Sequence, residues 1–136
     1  MADDINPTPI PVVKKRILIA EDESAIRGLY IAILKANYDV QTAPDGKTAL
    51  EMLADARPDL LITDCVMPHM HGLALIVQAK EHYPDLPCIA ASGTWDRDYT
   101  RVDAIRAGAC AIIQKPFTPS NLLALVEKYL GKPQAQ

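Results

Sequence analysis

Leu60-Leu61-Ile62-Thr63-Asp64 is an apolar run of strand length that stops at a single carboxylate. A short aliphatic and β-branched run without polar alternation is typical of a parallel strand buried on both faces. Such a strand needs a neighbouring strand on each side and helices that cover the sheet. The run therefore predicts the centre of an α/β domain.

Similar short runs occur on both sides of it, separated by segments with helical period. The predicted strands are 17–20, 39–43, 60–63, 87–91 and 110–114. Five helices are predicted. The first is capped by Ser24, the second spans 46–56, and the third follows Gly72 with Leu73, Ile76 and Val77 facing inward. The fourth spans 96–107, and the fifth starts at Thr118 or Ser120. This alternation predicts βαβ units, with five parallel strands and five helices.

The composition fits one folded domain. The chain has 136 residues, 49% hydrophobic and 23% charged, which is enough for one core and too little for two ordinary domains. Three prolines among the first 13 residues disfavour regular structure there. We expect a flexible arm over 1–15, the domain over 16–131 and a tail over 132–136.

Charge and hydropathy disfavour several functional classes. A net charge of −3 without a long basic run argues against direct nucleic-acid binding. No stretch approaches the roughly 20 apolar residues of a membrane helix, and the N-terminus lacks a signal-peptide pattern, so we expect no membrane attachment and a cytoplasmic location. Cys65, Cys88 and Cys110 form no CxxC pair and lie in or beside apolar runs, which favours core residues in a reducing compartment.

Polar residues follow four of the five predicted strands. They are Glu21 and Asp22 after the first strand, Asp64 after the third, Ser92 after the fourth and Lys115 after the fifth. Taken singly, each fits a cap, a turn or a loop. Right-handed crossovers bring the carboxyl ends of parallel strands to one edge, where ligands of open α/β sheets bind. We therefore expect these side chains to converge.

Three carboxylates in one crevice repel one another unless a cation neutralises them. Because the ligands are few and are hard oxygens, Mg²⁺ is the expected ion. His69 and His71 offer an alternative transition-metal site, but their spacing of two favours surface histidines.

Four motifs, in this order, carry a resemblance to a known family. They are Glu21-Asp22, Asp64-Cys65-Val66-Met67-Pro68-His69-Met70-His71-Gly72, Ala91-Ser92-Gly93, and Ala107-Gly108-Ala109 followed by Lys115-Pro116-Phe117. Over residues 16–130 the chain resembles the receiver domain of response regulators, the CheY-like domain of two-component systems. The resemblance implies a doubly wound, flavodoxin-like sheet with the strand order 2-1-3-4-5.

The resemblance also implies roles for individual residues. Asp64 corresponds to the phosphoacceptor, Asp22 and Asp64 to the direct Mg²⁺ ligands, Cys65 to a ligand through its backbone carbonyl, and Glu21 to an acid that acts through metal-bound water. Ser92 corresponds to the switch hydroxyl and Lys115 to the cation that pairs with the phosphoryl group. The Lys115–Pro116 peptide bond is expected to be cis.

Three features depart from the family pattern. Ile112 stands where the family usually has a mobile aromatic ring, and a β-branched side chain has few rotamers. Val66 and Thr94, at positions that tune water access, offer no charge to place attacking water. The interval from Ser92 to Lys115 is slightly longer than expected. Trp95 has two interpretations: a ring on the loop surface or at the start of helix four, or a contact for a partner.

The expected function is a phosphoacceptor domain, not an enzyme beyond its own phosphorylation and dephosphorylation. Its phosphoryl source would be a histidine kinase or a histidine phosphotransfer protein, the downstream effector is not identified, and the domain would be a monomer or weak dimer. Because no output domain follows Gly131, we expect a single-domain response regulator. The alternative is a receiver fragment of a longer regulator or hybrid kinase.

Three other functional classes are alternatives to this one. An aspartyl phosphatase needs a second acid where Val66 stands. A flavin-binding electron carrier needs a phosphate-binding loop, and Glu21-Asp22 would repel a phosphate. A receiver-like interaction module that is never phosphorylated remains an alternative because of Ile112. A test of Mg²⁺ binding would distinguish such a module from a phosphoacceptor domain.

Overall fold

The computed structural model describes residues 13–95 and 101–133. Most of the predicted arm, the beginning of the helix predicted from residue 96, and residues 134–136 of the predicted tail lie outside these ranges. The strands are β1 (Arg16–Ala20), β2 (Asp39–Ala43), β3 (Leu60–Asp64), β4 (Cys88–Ser92) and β5 (Ala111–Gln114). The helices are α1 (Ser24–Leu34), α2 (Gly46–Asp55), α3 (Gly72–His82), α4 (Arg101–Ala107) and α5 (Pro119–Leu130).

All five strands pair in parallel in the order β2-β1-β3-β4-β5. Every residue of β3 and β4 is buried, which confirms that the apolar run at 60–63 forms a central strand. The predicted fold class, strand order and number of helices are also confirmed within the described residues.

Side chains of alternate strand residues enter two separate cores, one on each face of the sheet. Leu18 and Leu61 belong to the core beneath α2, α3 and α4, whereas Ile19 and Ile62 belong to the core beneath α1 and α5. This period of two within strands covered on both faces is the arrangement expected of a doubly wound sheet.

Two side chains predicted to be buried are exposed. Val77 is 44% exposed, because the buried face of α3 runs through Leu73, Ile76 and Ala79. Cys110 is exposed because it lies just before β5 at the edge of the sheet, whereas Cys65 and Cys88 are buried as predicted.

The predicted helix starts are correct in one case and wrong in another. Thr118 caps α5 by accepting the amide of Asn121 at 3.1 Å. Ser24 is instead the first residue of α1, and the cap residue, Glu23, makes no side-chain capping bond. None of the helices in the described ranges has the length and apolar character needed to cross a membrane.

The turn from β3 into α3 brings two stretches of backbone unusually close together. The Gly72 amide donates to the Cys65 carbonyl at 3.0 Å. A β-carbon at Gly72 would collide with the backbone carbonyl of Asp64 and with the Cys65 α-carbon. Glycine is therefore required here by space rather than by a left-handed conformation.

We predict that Gly72→Ala destabilises the fold by about 3 kcal/mol or more, because the added methyl group meets backbone that has no room to move. Gly28→Ala is the matched control, since a β-carbon at Gly28 meets nothing within 4 Å and the residue lies inside α1. It should stabilise the protein by about 0.5 to 1 kcal/mol. Urea unfolding measures both changes, and equal effects of the two substitutions would contradict the steric argument.

Candidate functional site at the carboxyl edge of the sheet

The site is centred on an ammonium group that lies between two carboxylates. Lys115 Nζ donates to Glu21 Oε1 at 2.8 Å and to Asp64 Oδ2 at 3.0 Å. Glu21 has no exposed surface and Asp64 is buried, so both depend on this contact to compensate their charge. Three of the residues predicted to converge therefore meet in the structure.

Backbone hydrogen bonds between neighbouring strands fix these residues at the edge of the sheet. Asp64 is the last residue of β3, and the amide of the next residue, Cys65, donates to the Ala91 carbonyl of β4 at 3.0 Å. The Lys115 amide donates to the Ser92 carbonyl at 2.9 Å. The strand register thus places the functional side chains before any ligand is bound.

Asp22 completes an acidic cluster on the open side of the site. One carboxylate oxygen from each of Glu21, Asp22 and Asp64 lies within 4.8 Å of the others, and Asp22 is exposed. A small set of carboxylate oxygens with one side open to water fits a hard divalent cation. Among the described residues, His69 and His71 belong to no such cluster, which favours the interpretation as surface histidines.

The hydroxyl of Ser92 is held by its own loop. Ser92 is 2% exposed, and its Oγ accepts the Thr94 amide at 3.0 Å and lies 3.1 Å from Thr94 Oγ1. This local turn is a common arrangement of a serine with the residue two positions later. Thr94 therefore engages the Ser92 hydroxyl in this state.

The loop after Lys115 is attached to α1 through a pair of aromatic rings. The Lys115–Pro116 peptide bond is cis. The rings of Phe117 and the buried Tyr30 lie with their centroids 4.9 Å apart. These rings support the backbone from which Lys115 reaches the two carboxylates.

Comparison with known proteins identifies the family. The family model described as the response regulator receiver domain matches residues 17–127. The chain belongs to this family. The matched segment includes the whole sheet except Arg16, and all the residues of the site from Glu21 to Lys115. It is thus a receiver domain of two-component systems, as the four sequence motifs predicted.

Two curated relatives show how much of a longer protein this receiver domain represents. It is 37% identical over 121 residues to the DNA-binding transcriptional regulator NtrC of Escherichia coli (strain K12), covering 88% of this chain and 26% of NtrC. It is 37% identical over 118 residues to the response regulator MprA of Mycobacterium ulcerans (strain Agy99), covering 86% of this chain and 50% of MprA. The chain therefore spans between a quarter and half of these relatives.

Solved structures resemble the receiver domain over nearly their whole length. The chemotaxis protein CheY4 of Vibrio cholerae superposes with a TM-score of 0.80 at 28% identity, covering 86% of this chain and 99% of that one. The receiver domain of NtrX from Brucella abortus superposes with a TM-score of 0.77 at 36% identity, covering 84% and 97%. The CheY-like fold is therefore confirmed.

The ionisation of the receiver domain's site is governed by burial and by the pairing with Lys115. Burial and the nearby charge of Asp64 raise the pKa of Glu21 to about 7, although the hydrogen bond from Lys115 opposes the change. Burial alone would lower the pKa of Lys115, but its hydrogen bonds to Glu21 and Asp64 outweigh burial and raise it. Lys115 is therefore charged at neutral pH, whereas Glu21 titrates there.

Trp95 is a core residue, which overturns the interpretation that its ring lies on the loop surface and argues against a contact for a partner. It shares a core with Ala104 of α4, which fits the interpretation that the ring packs against helix four. It is 8% exposed, and its indole N–H donates to the Ile113 carbonyl at 3.2 Å. Trp95 belongs to the same core as Ile112, so a large ring occupies the side of β5 where Ile112 is partly buried. The small residues of β4, including Ala90, were the sequence signal that space exists there.

Sequence reasoning missed Arg27, which contacts the acidic loop through its backbone. Its Nη1 donates to the carbonyl oxygens of Glu21 at 2.8 Å and of Asp22 at 3.0 Å. Arg27 lies one turn into α1, five residues after Asp22. That spacing on a helix directly after a strand was the available signal.

The raised pKa of Glu21 predicts how the stability of the metal-free receiver domain depends on pH. The folded domain holds this proton up to about pH 7, whereas the unfolded chain releases it near the ordinary value of 4.5. Because the folded state binds more protons in this window, the free energy of unfolding should fall as the pH rises through it, by up to about 3 kcal/mol.

Glu21→Gln removes this titration, so the stability of the wild type relative to the variant should fall between pH 4.5 and 7. Urea unfolding in the presence of a chelator measures the difference. Glu51→Gln, at an exposed position of α2, is the control and should leave the pH profile unchanged. Identical profiles for the wild type and Glu21→Gln would mean that Glu21 stays ionised throughout.

Proposed function

We propose that this receiver domain accepts a phosphoryl group on Asp64 in a reaction that requires Mg²⁺. The observation that carries the proposal is the placement of the Lys115 ammonium 3.0 Å from Asp64 Oδ2, beside an acidic cluster whose third member is exposed. Phosphoryl transfer needs an in-line nucleophile and fixed positive charge around the phosphoryl oxygens. The described residues supply the nucleophile and one of the charges.

Asp64 would act through the oxygen that Lys115 does not hold. Since Oδ2 accepts the bond from Lys115, Oδ1 is the oxygen that attacks phosphorus. The new O–P bond makes an acyl phosphate, while the bond between phosphorus and the donor breaks and the donor keeps that electron pair. Lys115 then pairs with a phosphoryl oxygen, which its reach to both Glu21 and Asp64 allows.

Asp22 and Asp64 would hold Mg²⁺ directly, with Glu21 acting through a bound water. The chemistry that Mg²⁺ supplies when bound is neutralisation of charge on the phosphoryl oxygens. The carbonyl ligand expected from the resemblance is that of Cys65, but this oxygen already accepts the Gly72 amide and is directed at the start of α3. We therefore assign this role to the next carbonyl, that of the exposed Val66.

The phosphoryl group would be sensed by the loop that carries Ser92. Phosphorylation adds nearly two negative charges and three acceptor oxygens at Asp64. To donate to one of these oxygens, the Ser92 hydroxyl must exchange its contact with Thr94 Oγ1 for one with the phosphoryl group, while its Oγ can go on accepting the Thr94 amide and draw that residue with it. That exchange moves Gly93 to Trp95, and through the indole hydrogen bond it acts on Ile113 of β5.

Membership in the family supports a histidine kinase or a histidine phosphotransfer protein as the phosphoryl donor. The domain would work in the cytoplasm, where response regulators typically act, and would catalyse no reaction on a separate substrate. The net charge of −3 supports an output through protein contacts of this segment rather than through DNA, although the relative NtrC is a DNA-binding regulator.

Phosphorylation can be tested with a small donor. Incubation with acetyl phosphate and Mg²⁺ should add the mass of one phosphoryl group in intact-mass spectrometry at neutral pH. Asp64→Asn should abolish this addition, whereas Asp55→Asn, an exposed acid at the end of α2, should retain it. Labelling of Asp64→Asn, or equal labelling in chelator, would refute the assigned acceptor or metal.

The route of the signal can be followed through Trp95, the one tryptophan of the chain. Addition of Mg²⁺ with beryllofluoride, a stable phosphoryl mimic, should change its emission, because the buried indole is tied to the loop that must move. Mg²⁺ alone should change it less, and Ser92→Ala should reduce the response. If fluorine NMR detects the bound mimic while the emission stays constant, the Ser92 loop is not the switch.

A further inference from the structure

Arg27 is attached to the backbone of the acidic loop at two points. It is the one charged residue between Ser24 and Leu34, and its guanidinium donates to the carbonyl oxygens of Glu21 and Asp22 at 2.8 and 3.0 Å. Two bonds from one planar group to successive carbonyls fix the orientation of the peptide between them. That peptide joins the two acids of the site.

Few other contacts hold this loop. The cap residue of α1, Glu23, makes no side-chain capping bond, and the first turn of α1 contains no acidic residue. Beyond the end of β1, the Glu21 amide donates to Ala43 and the Glu23 amide donates to the Glu21 carboxylate at 3.2 Å. Arg27 thus supplies the side-chain connection between α1 and the carbonyls of the acidic pair.

The bonds of Arg27 leave the carboxylates themselves available. Within residues 13–95 and 101–133 it forms no ion pair with a carboxylate, although it contacts the backbone of two acidic residues. Glu21 can therefore turn inward to Lys115, and Asp22 stays exposed with its oxygens in reach of Asp64. A guanidinium bound to Asp22 would instead compete with a cation for the same oxygens.

We propose that Arg27 is a positioning residue for the cation site, holding the backbone of Glu21 and Asp22 so that one carboxylate points inward and the other outward. This inference rests on the proposed Mg²⁺-dependent function. The guanidinium then has two opposing effects on cation binding. Its positive charge repels the cation and weakens binding, whereas its hydrogen bonds orient the ligands and strengthen binding.

The two effects can be distinguished by the Mg²⁺ affinity of an Arg27 variant, because they change this affinity in opposite directions. Arg27→Met removes the charge and the hydrogen bonds but keeps the packing of the stem. If only the charge mattered, the variant would bind Mg²⁺ more tightly. The positioning role predicts weaker binding, with a dissociation constant raised about tenfold or more, as is typical when a partner that orients metal ligands is lost. Calorimetric titration of the unphosphorylated protein with Mg²⁺ measures it.

Two further variants isolate the cause. Arg27→Lys keeps the charge, but its shorter side chain ends in a tetrahedral ammonium group that does not reproduce the two planar N–H bonds of Nη1, so its Mg²⁺ affinity should also fall below that of the wild type. Arg57→Met is the matched control, because the Arg57 guanidinium likewise donates to a backbone carbonyl, that of Pro58, at 2.8 Å. It can lower the unfolding temperature but should leave the dissociation constant for Mg²⁺ unchanged.

The outcomes distinguish this inference from the function on which it rests. Wild-type protein that fails to bind Mg²⁺ would refute the cation site itself, and the positioning role with it. Wild-type binding together with unchanged or tighter binding in a folded Arg27→Met variant would overturn the positioning role alone. Weaker binding in both Arg27 variants, with Arg57→Met equal to wild type, would establish it.

Discussion

The ammonium group of Lys115 is the contact on which the carboxyl edge of this domain depends. It lies within 3.0 Å of two buried carboxylates that belong to different strands. Without it, Glu21 and Asp64 would face each other without any charge compensation, and burial would drive protons onto them. The exposed Asp22 adds a third carboxylate to this edge, so the negative charge of the cluster exceeds the positive charge of Lys115 and suits a divalent cation.

The parallel sheet explains why residues so far apart in sequence meet with such precision. Glu21 and Lys115 are 94 positions apart, yet each extends a strand whose register is fixed by hydrogen bonds. Burial of both faces of β3 and β4 makes a shift in register costly, because a one-residue slip would exchange the two cores. The chemistry of the edge therefore depends on the packing of the whole sheet.

The fold and most of the site could be predicted from the sequence because both depend on residue type at regular spacing. Apolar runs revealed the strands, and polar residues after them revealed the edge where they converge. Val77 and Cys110 were wrongly predicted as buried because each lies at a boundary, one at the margin of a helical face and the other before an edge strand. At such positions hydrophobicity alone does not determine exposure.

Trp95 and Arg27 escaped prediction for a different reason. Both act through backbone carbonyl oxygens, which every residue possesses, so the sequence carries only indirect signals of these contacts and does not identify the partner. The indole could be placed only once the loop after β4 was known to fold back over the sheet. The arginine could be placed only once the turn before α1 was known to bring two carbonyls within its reach.

Because Gly72 lies so close to Asp64, the two sides of the site differ in how freely they can move. On one side, β3 and α3 are in backbone contact with no space between them, and a displacement there would have to move a whole strand and helix together. On the other side, Ser92 is attached to its loop by two bonds to a single threonine. A displacement that starts at Asp64 is resisted on the side of β3 and α3 and can be accommodated on the side of the Ser92 loop. That loop is therefore where the domain can change shape.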